Sequence, residues 1–230
     1  EVTVSEDGFV DGEGMDYTFT GTATNVSDTK DNNNTFTAAF KSGTQATDYE
    51  TPVIEYGTLT ITAKEITLSE TDYSYSAISD YVYDATAHTP EPTVTDNGRG
   101  ENLVKNTDFT YSYDNNINAG EKTASVKITG KGNYKGNVTL NFTIKKRPVE
   151  FSAVSENKEY TGNEIKINGL DVSSGTDKGL VSGHKHNVTF EAKGTEASAT
   201  PYEGTITALS AVRITLADGT TDVTANYDIT

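Results

Sequence analysis

Tyrosine is the residue whose spacing most invites a chemical reading in this chain. Tyr73 and Tyr75, Tyr81 and Tyr83, and Tyr111 and Tyr113 each stand two residues apart, and on a strand the members of such a pair share one face. Two pairs turned to solvent would form a platform on which sugar rings stack, with Asn115 and Asn116 close by as hydrogen-bond donors. The plainer arrangement puts one pair in a core and lets the others cap an edge, and the absence of tryptophan favours it. A second tyrosine pattern is Asp48-Tyr49, Asn133-Tyr134 and Asn226-Tyr227. A polar residue that takes a turn, followed by a ring that is buried while its hydroxyl finds a partner, is a structural corner.

Metal and catalytic chemistry have less to draw on. His184 and His186 would project to one side of an extended segment, the start of a two-histidine metal site, but no third ligand is identifiable and a solvated loop is the simpler reading. For calcium, Asp28, Asp31, Asn32 and Asn34 lie close together in one acidic loop, and Glu6, Asp7, Asp11 and Glu13 in another. Neither has the ligand order of an EF-hand, and plain solvated turns would look the same. Calcium at Asp28, Asp31 and Asn34 is therefore the one candidate ion, structural rather than catalytic, and no other cofactor is expected. There is no cysteine nucleophile, G-x-S-x-G elbow, phosphate loop or H-E-x-x-H pair. Paired carboxylates mean little in so acidic a chain, and the expectation is a protein that is not an enzyme.

Charge and composition narrow the partners. A net charge of −16 repels nucleic acid and anionic membranes alike. No apolar run approaches the length needed to span a bilayer, so membrane insertion is not expected. Without cysteine there are no disulfides or thiolate sites, and each core must be built from Val, Ile, Leu, Phe and the 13 tyrosines. The chain opens directly into Glu1-Val-Thr-Val4 with no leader-like segment, which reads as a mature or internal stretch.

The elements that must position these residues are strands. Apolar residues alternate with Thr in Thr58-Leu-Thr-Ile-Thr62 and Ser125-Val-Lys-Ile-Thr129, the period of half-buried strands. No long window sustains helical spacing, and Thr and Val disfavour helix, so the fold is predicted to be all-β. Turns fall at Asp31-Asn-Asn-Asn34, Asp114-Asn-Asn116, Gly130-Lys-Gly-Asn133 and Ala217-Asp-Gly219.

The chain also repeats itself. Gly136-Asn-Val-Thr-Leu-Asn-Phe-Thr-Ile-Lys-Lys-Arg-Pro-Val149 closes one strand-like run and opens another, and Gly57-Thr-Leu-Thr-Ile-Thr-Ala-Lys-Glu-Ile66 does the same earlier. Two seams imply three repeats: residues 1–63, 64–146 and 147–230. Tyr81-Val-Tyr-Asp-Ala-Thr-Ala-His88 opens the second and Lys158-Glu-Tyr-Thr-Gly-Asn-Glu164 the third; Gly8-Phe-Val-Asp-Gly12 matches Gly179-Leu-Val-Ser-Gly183, a passage the second repeat lacks. On this reading the first repeat lacks its opening strands and the third its closing strand.

These motifs carry a resemblance. The Tyr83 opening, Asn118-Ala-Gly120 and Gly132-Asn-Tyr134 before a Thr-rich strand look like tandem repeats of bacterial surface proteins. Tyr160-Thr-Gly162, Gly179-Leu-Val-Ser-Gly-His184 and Asn226-Tyr227 resemble the related YDG and MBG-type adhesin repeats of Gram-positive surface proteins. The resemblance implies three small modules, Ig-like sandwiches or β-grasp-like, in the stalk or adhesive region of an extracellular cell-surface or secreted protein, with neighbouring modules as partners. A stalk of three such modules would reach roughly 100 Å at about 3.3 Å per strand residue. One alternative is a host-glycan or mucin binder using Tyr73, Tyr75, Tyr111, Tyr113, Asn115 and Asn116. The other is a fibre of further copies joined head to tail, with Asp228, Ile229 and Thr230 as the edge that accepts a strand.

Overall fold

The computed structural model describes residues 2–4 and 8–230. It is built of short strands, and its helical content among the described residues is four 3-10 turns, Val26–Asp28, Ala46–Asp48, Leu209–Ala211 and Thr224–Asn226. The fold is all-β, as the Thr alternation predicts. The Gly- and Ser-rich segment after Leu170 is a strand, Leu170–Val172, followed by a two-residue hairpin in which Ser174–Gly175 pairs with Lys178–Gly179.

Two compact units form. The first comprises Glu1–Ser74, Val94–Thr110 and Ile128–Val138, and the second Tyr75–Thr93, Tyr111–Lys127 and Thr139–Thr230. The central sequence repeat, 64–146, thus contributes to both, and its long strands Gly120–Gly130 and Asn137–Lys145 supply residues to each.

In the first unit, strands Met15–Phe19 and Phe36–Phe40 form an antiparallel hairpin in register Met15 to Phe40. Aromatic residues along one face hold it: the Tyr17 and Tyr56 rings meet Phe36 edge-on at 5.7 and 5.6 Å. Beside it, buried Asn33 takes the place of a strand partner. Its amide donates to the carbonyls of Asp28 (2.9 Å) and Leu59 (2.8 Å), and its Oδ1 accepts the Leu59 N–H at 2.5 Å. The unit's apolar core gathers Ile66, Tyr73, Val94, Phe109, Ile128, Tyr134 and Val138. The seam strand Lys64–Glu65 lies parallel to Tyr134–Lys135, pairing Lys64 with Tyr134.

The second unit repeats that device. Seam strand Arg147–Val149 lies parallel to Tyr227–Ile229, with Arg147 opposite Tyr227. Pro148 is tolerated there because a proline at the edge of a two-stranded ladder need not donate. Tyr83, Ala124, Phe142, Ile144, Val149, Phe151, Val188, Val212, Ile214, Val223 and Tyr227 make one continuous core. Strand Phe190–Gly194 is flanked by Ile165–Ile167 and Thr205–Ile206 in a three-stranded sheet.

Candidate functional site

The polar constellations that organise the chain are its tyrosine corners. In the second unit, the turn Thr224–Asn226 delivers Asn226 and Tyr227 to the start of a strand. The Asn226 side chain clamps the segment Asn118–Ala119: its Oδ1 accepts the Ala119 N–H at 2.7 Å and its Nδ2 donates to Asn118 Oδ1 at 3.1 Å. In the first unit Asn133 does the same to Val26 N–H (2.8 Å) and Asn25 Oδ1 (2.7 Å). An asparagine suits the corner because its short amide carries an acceptor oxygen and a donor nitrogen on separate atoms, so one side chain meets an N–H and a carbonyl-type oxygen side by side.

Each corner hydroxyl meets a loop. Tyr227 accepts the Val181 N–H at 3.1 Å and lies 2.7 Å from His184 Nδ1. Tyr49 accepts the Val10 N–H at 3.1 Å and donates to Glu13 Oε2 at 2.5 Å. Residues 8–12 and 179–183 therefore form the same loop, with positive φ at Gly8 and Gly12 as at Gly179 and Gly183. A Cβ on Gly179 would sit 2.0 Å from the Ser173 carbonyl oxygen, so no other residue fits that close approach. Burial pushes the Tyr227 hydroxyl above its ordinary pKa and the His184 imidazole below its own. The hydrogen bond to Glu13 raises that of Tyr49.

The seam cation differs between the two joints, and the loop beside it explains why. Arg147 is buried against carbonyls: Nε donates to Gly179 (2.7 Å), Nη2 to Gly175, Thr176 and Lys178 (3.0, 3.1 and 2.9 Å), and Nη1 to Tyr83 (3.5 Å). A planar fork with five donors suits a cage of carbonyls. In the first unit the same position is Lys64, and the end of strand Val94–Asp96 answers with a carboxylate: Nζ lies 2.6 Å from Oδ1 of Asp96, which is 0% exposed. Tyr134 donates to the other Asp96 oxygen at 3.1 Å, and Lys64 also sits 5.0 Å over the Tyr73 ring. Burial alone would raise the Asp96 pKa, but the Lys64 and Tyr134 hydrogen bonds outweigh it and leave the carboxyl below its usual value. Amide formation between Lys64 and Asp96 would need an uncharged amine and a protonated carboxyl; this arrangement favours the ion pair. Neither Lys64, Asp96 nor Arg147 stands out in the sequence, because the ion pair of Lys64 with Asp96 spans 32 residues and the hydrogen bond of Arg147 to Gly175 spans 28.

The residues singled out from sequence fall as follows. Tyr73 is 1% exposed, beneath Lys64. Tyr75 is half-buried, and burial pushes its pKa up to about 12. Tyr111 and Tyr113 lie together, rings 6.4 Å apart and tilted by 34°, with hydroxyls donated to the carbonyls of Pro92 (2.5 Å) and Pro90 (3.1 Å). Asn116 donates to the His88 carbonyl at 2.9 Å, while Asn115 is an exposed turn residue with φ 52° whose N–H meets Asp114. Both hydroxyls of the Tyr111 and Tyr113 pair are thus spent on the fold.

Asp28 caps its own turn, accepting the N–H groups of Thr24 (2.9 Å) and Asn25 (2.8 Å), bonds that hold its pKa down. Asp31 is exposed, and Asn34 is engaged through its N–H to the Gly57 carbonyl at 3.0 Å. Glu6 and Asp7 lie outside the described residues, and Glu13 serves Tyr49. Among the described residues no three His, Cys, Asp or Glu side chains gather as a metal site. His184 and His186 take separate partners, Tyr227 and the Phe151 ring. Asp228 and Ile229 are paired with the seam strand, and Thr230 exchanges hydrogen bonds of 3.0 Å with Val149 and Phe151.

Scans against protein-family models, curated proteins and solved structures each gave no match. No helix among the described residues is long and apolar enough to cross a membrane.

Proposed function

We propose that the chain is a non-catalytic run of structural repeats from an extracellular bacterial surface protein, acting as a stalk or adhesin spacer. The observation that carries this reading is the corner built twice to one plan: Asn133 and Asn226 clamp Asn25 with Val26 and Asn118 with Ala119 through matching hydrogen bonds. A scaffold that reuses one joint, and spends its hydroxyls, amides and buried charges on that joint, is built to propagate along a chain. The matching strand pairings at Lys64 and Arg147 support a repeated plan, and the described residues, with only 3-10 turns for helix, favour sandwich-like modules over a β-grasp built round a helix.

The test combines shape and binding. Small-angle scattering of the full chain should give an extended particle whose length scales with repeat number, and a glycan and mucin array should show no saturable binding. Saturable binding that is lost in Tyr111→Ala, with melting unchanged, would overturn the spacer reading in favour of an adhesin module.

A further inference from the structure

Tyr83 and Tyr160 are the same residue of successive repeats. Each is followed by a side-chain oxygen that accepts the N–H two positions on: Asp84 Oδ1 from Thr86 at 2.8 Å, and Thr161 Oγ1 from Asn163 at 3.4 Å. Each turn places its middle residue in the left-handed region, Ala85 at φ 63° and Gly162 at φ 78°. Their surroundings differ completely. Tyr83 is 1% exposed, edge-on to the Tyr227 ring at 5.6 Å and with its carbonyl receiving Arg147. Tyr160 is 62% exposed, on an open groove of about 520 Å³ that also holds Ile165, Ile167, Phe190, Ala192 and the half-exposed Tyr202.

We propose that this groove is the docking face for a further β-repeat carrying an Asn–Tyr corner, whose tyrosine covers Tyr160 as Tyr227 covers Tyr83. The proposal rests on the reading of the chain as tandem structural repeats and names the surface that joins them. The joint is already made once inside the second unit, which fixes the chemistry of the occupant: an edge-on aromatic ring, an amide that both donates and accepts, and a seam cation for the tyrosine carbonyl. A second copy of this chain is a poor occupant. Its remaining corner, Asp48-Tyr49, presents a carboxylate where Asn226 donates a hydrogen, and two chains of net charge −16 repel.

The experiment extends the full chain after Thr230 with a second copy of residues 138–230, since Tyr227 to Thr230 aligns with Tyr134 to Asn137. Tyrosine acylation is followed by peptide mass spectrometry. In the unextended chain Tyr160 should react as fast as exposed tyrosines; in the extended chain its rate should fall by about tenfold or more, toward that of Tyr83. Tyr227→Ala in the appended copy should restore the fast rate. A Tyr160 that stays reactive in the extended chain, or stays protected despite that substitution, overturns the proposal. So does protection of Tyr160 in a dimer of the unextended chain, which would assign the groove to a second copy. Scattering on the same samples separates the two readings. An extended chain that lengthens while Tyr160 stays reactive refutes only the docking face, whereas one that fails to lengthen refutes the spacer.

Discussion

Replacing Asp96 probes the joint where charge, burial and repeat architecture meet. Its carboxylate is 0% exposed and holds three groups: Lys64 Nζ at 2.6 Å, the Tyr134 hydroxyl at 3.1 Å and the Arg99 N–H at 3.3 Å. Asp96→Ala leaves the Tyr134 hydroxyl without its acceptor, and hydrogen bonds to a charged group are worth about 1.5–3 kcal/mol each. The Lys64 side chain, 45% exposed, can turn to water and adds about 0–1 kcal/mol. A loss of about 3–5 kcal/mol is expected for Ala, and about 1–2 kcal/mol for Asp96→Asn, which keeps the shape but not the charge. The sign with pH follows from the lowered pKa. Because the folded state holds Asp96 below 3.8, its contribution is fully present above that pH and is lost as the pH falls through the folded value. Urea unfolding followed by circular dichroism at pH 7 and near pH 2.5 should show the wild type converging on the Asn variant in acid. Hydrogen exchange at the Lys64 and Ile66 amides localises the effect to the first unit. An Asn variant as stable as wild type at pH 7, or a gap that persists unchanged in acid, refutes the reasoning.

Arg147→Lys should destabilise the second unit by about 2–3 kcal/mol in urea titrations, since a single ammonium cannot reach the carbonyls that the guanidinium bridges. Ala85→Gly should stabilise by about 1 kcal/mol, read as a raised thermal midpoint, because Ala85 sits at φ 63° where glycine carries no Cβ penalty. Burial lowers the His184 pKa, so the folded state disfavours the imidazolium. Stability should fall as pH drops below about 6.5, and His184→Gln should flatten that part of the urea-midpoint profile. Intact-mass spectrometry should show no loss of water at Lys64 and Asp96, as befits an ion pair rather than an amide.

The all-β class was legible because alternation is a local property: Ser125 to Thr129 shows period two within five residues and lies in strand Gly120–Gly130. Thr58 to Thr62 alternates in the same way yet forms no strand, because the Leu59 and Ile61 N–H groups go to the side chains of Asn33 and Thr29 instead of to a neighbouring strand. Two-residue spacing also sufficed to put Tyr111 and Tyr113 together. It could not say that two proline carbonyls about 20 residues upstream would take their hydroxyls, because a strand's own period is silent about what lies across from it. The same limit hid the corners' true partners. Asn133 reaches back 107 residues to Val26, and Asn226 reaches equally far to Ala119. An identical separation at two corners is a repeat signal, but it becomes visible only once one of the contacts is known.

The two joints share a corner and differ in the cation beside it. Asparagine and tyrosine are held at the corner because one must accept and donate at once and the other must bury a ring while presenting a hydroxyl. The seam cation follows its loop. Where the hairpin Ser174–Gly175 with Lys178–Gly179 turns a set of carbonyls inward, the cation is arginine, which can serve several acceptors from one plane. Where the strand Val94–Asp96 ends in a buried carboxylate instead, a lysine answers it one to one. Exchanging only the cations should therefore harm both joints. Lys64→Arg brings a broader, planar head to a single carboxylate already shared with Tyr134, and Arg147→Lys leaves carbonyls without donors. Exchanging each cation together with its loop should cost much less than the sum of the two single changes, and a double-mutant cycle measures that difference. Simple additivity would mean that cation and loop are not matched, and that the resemblance between the two joints ends at the tyrosine.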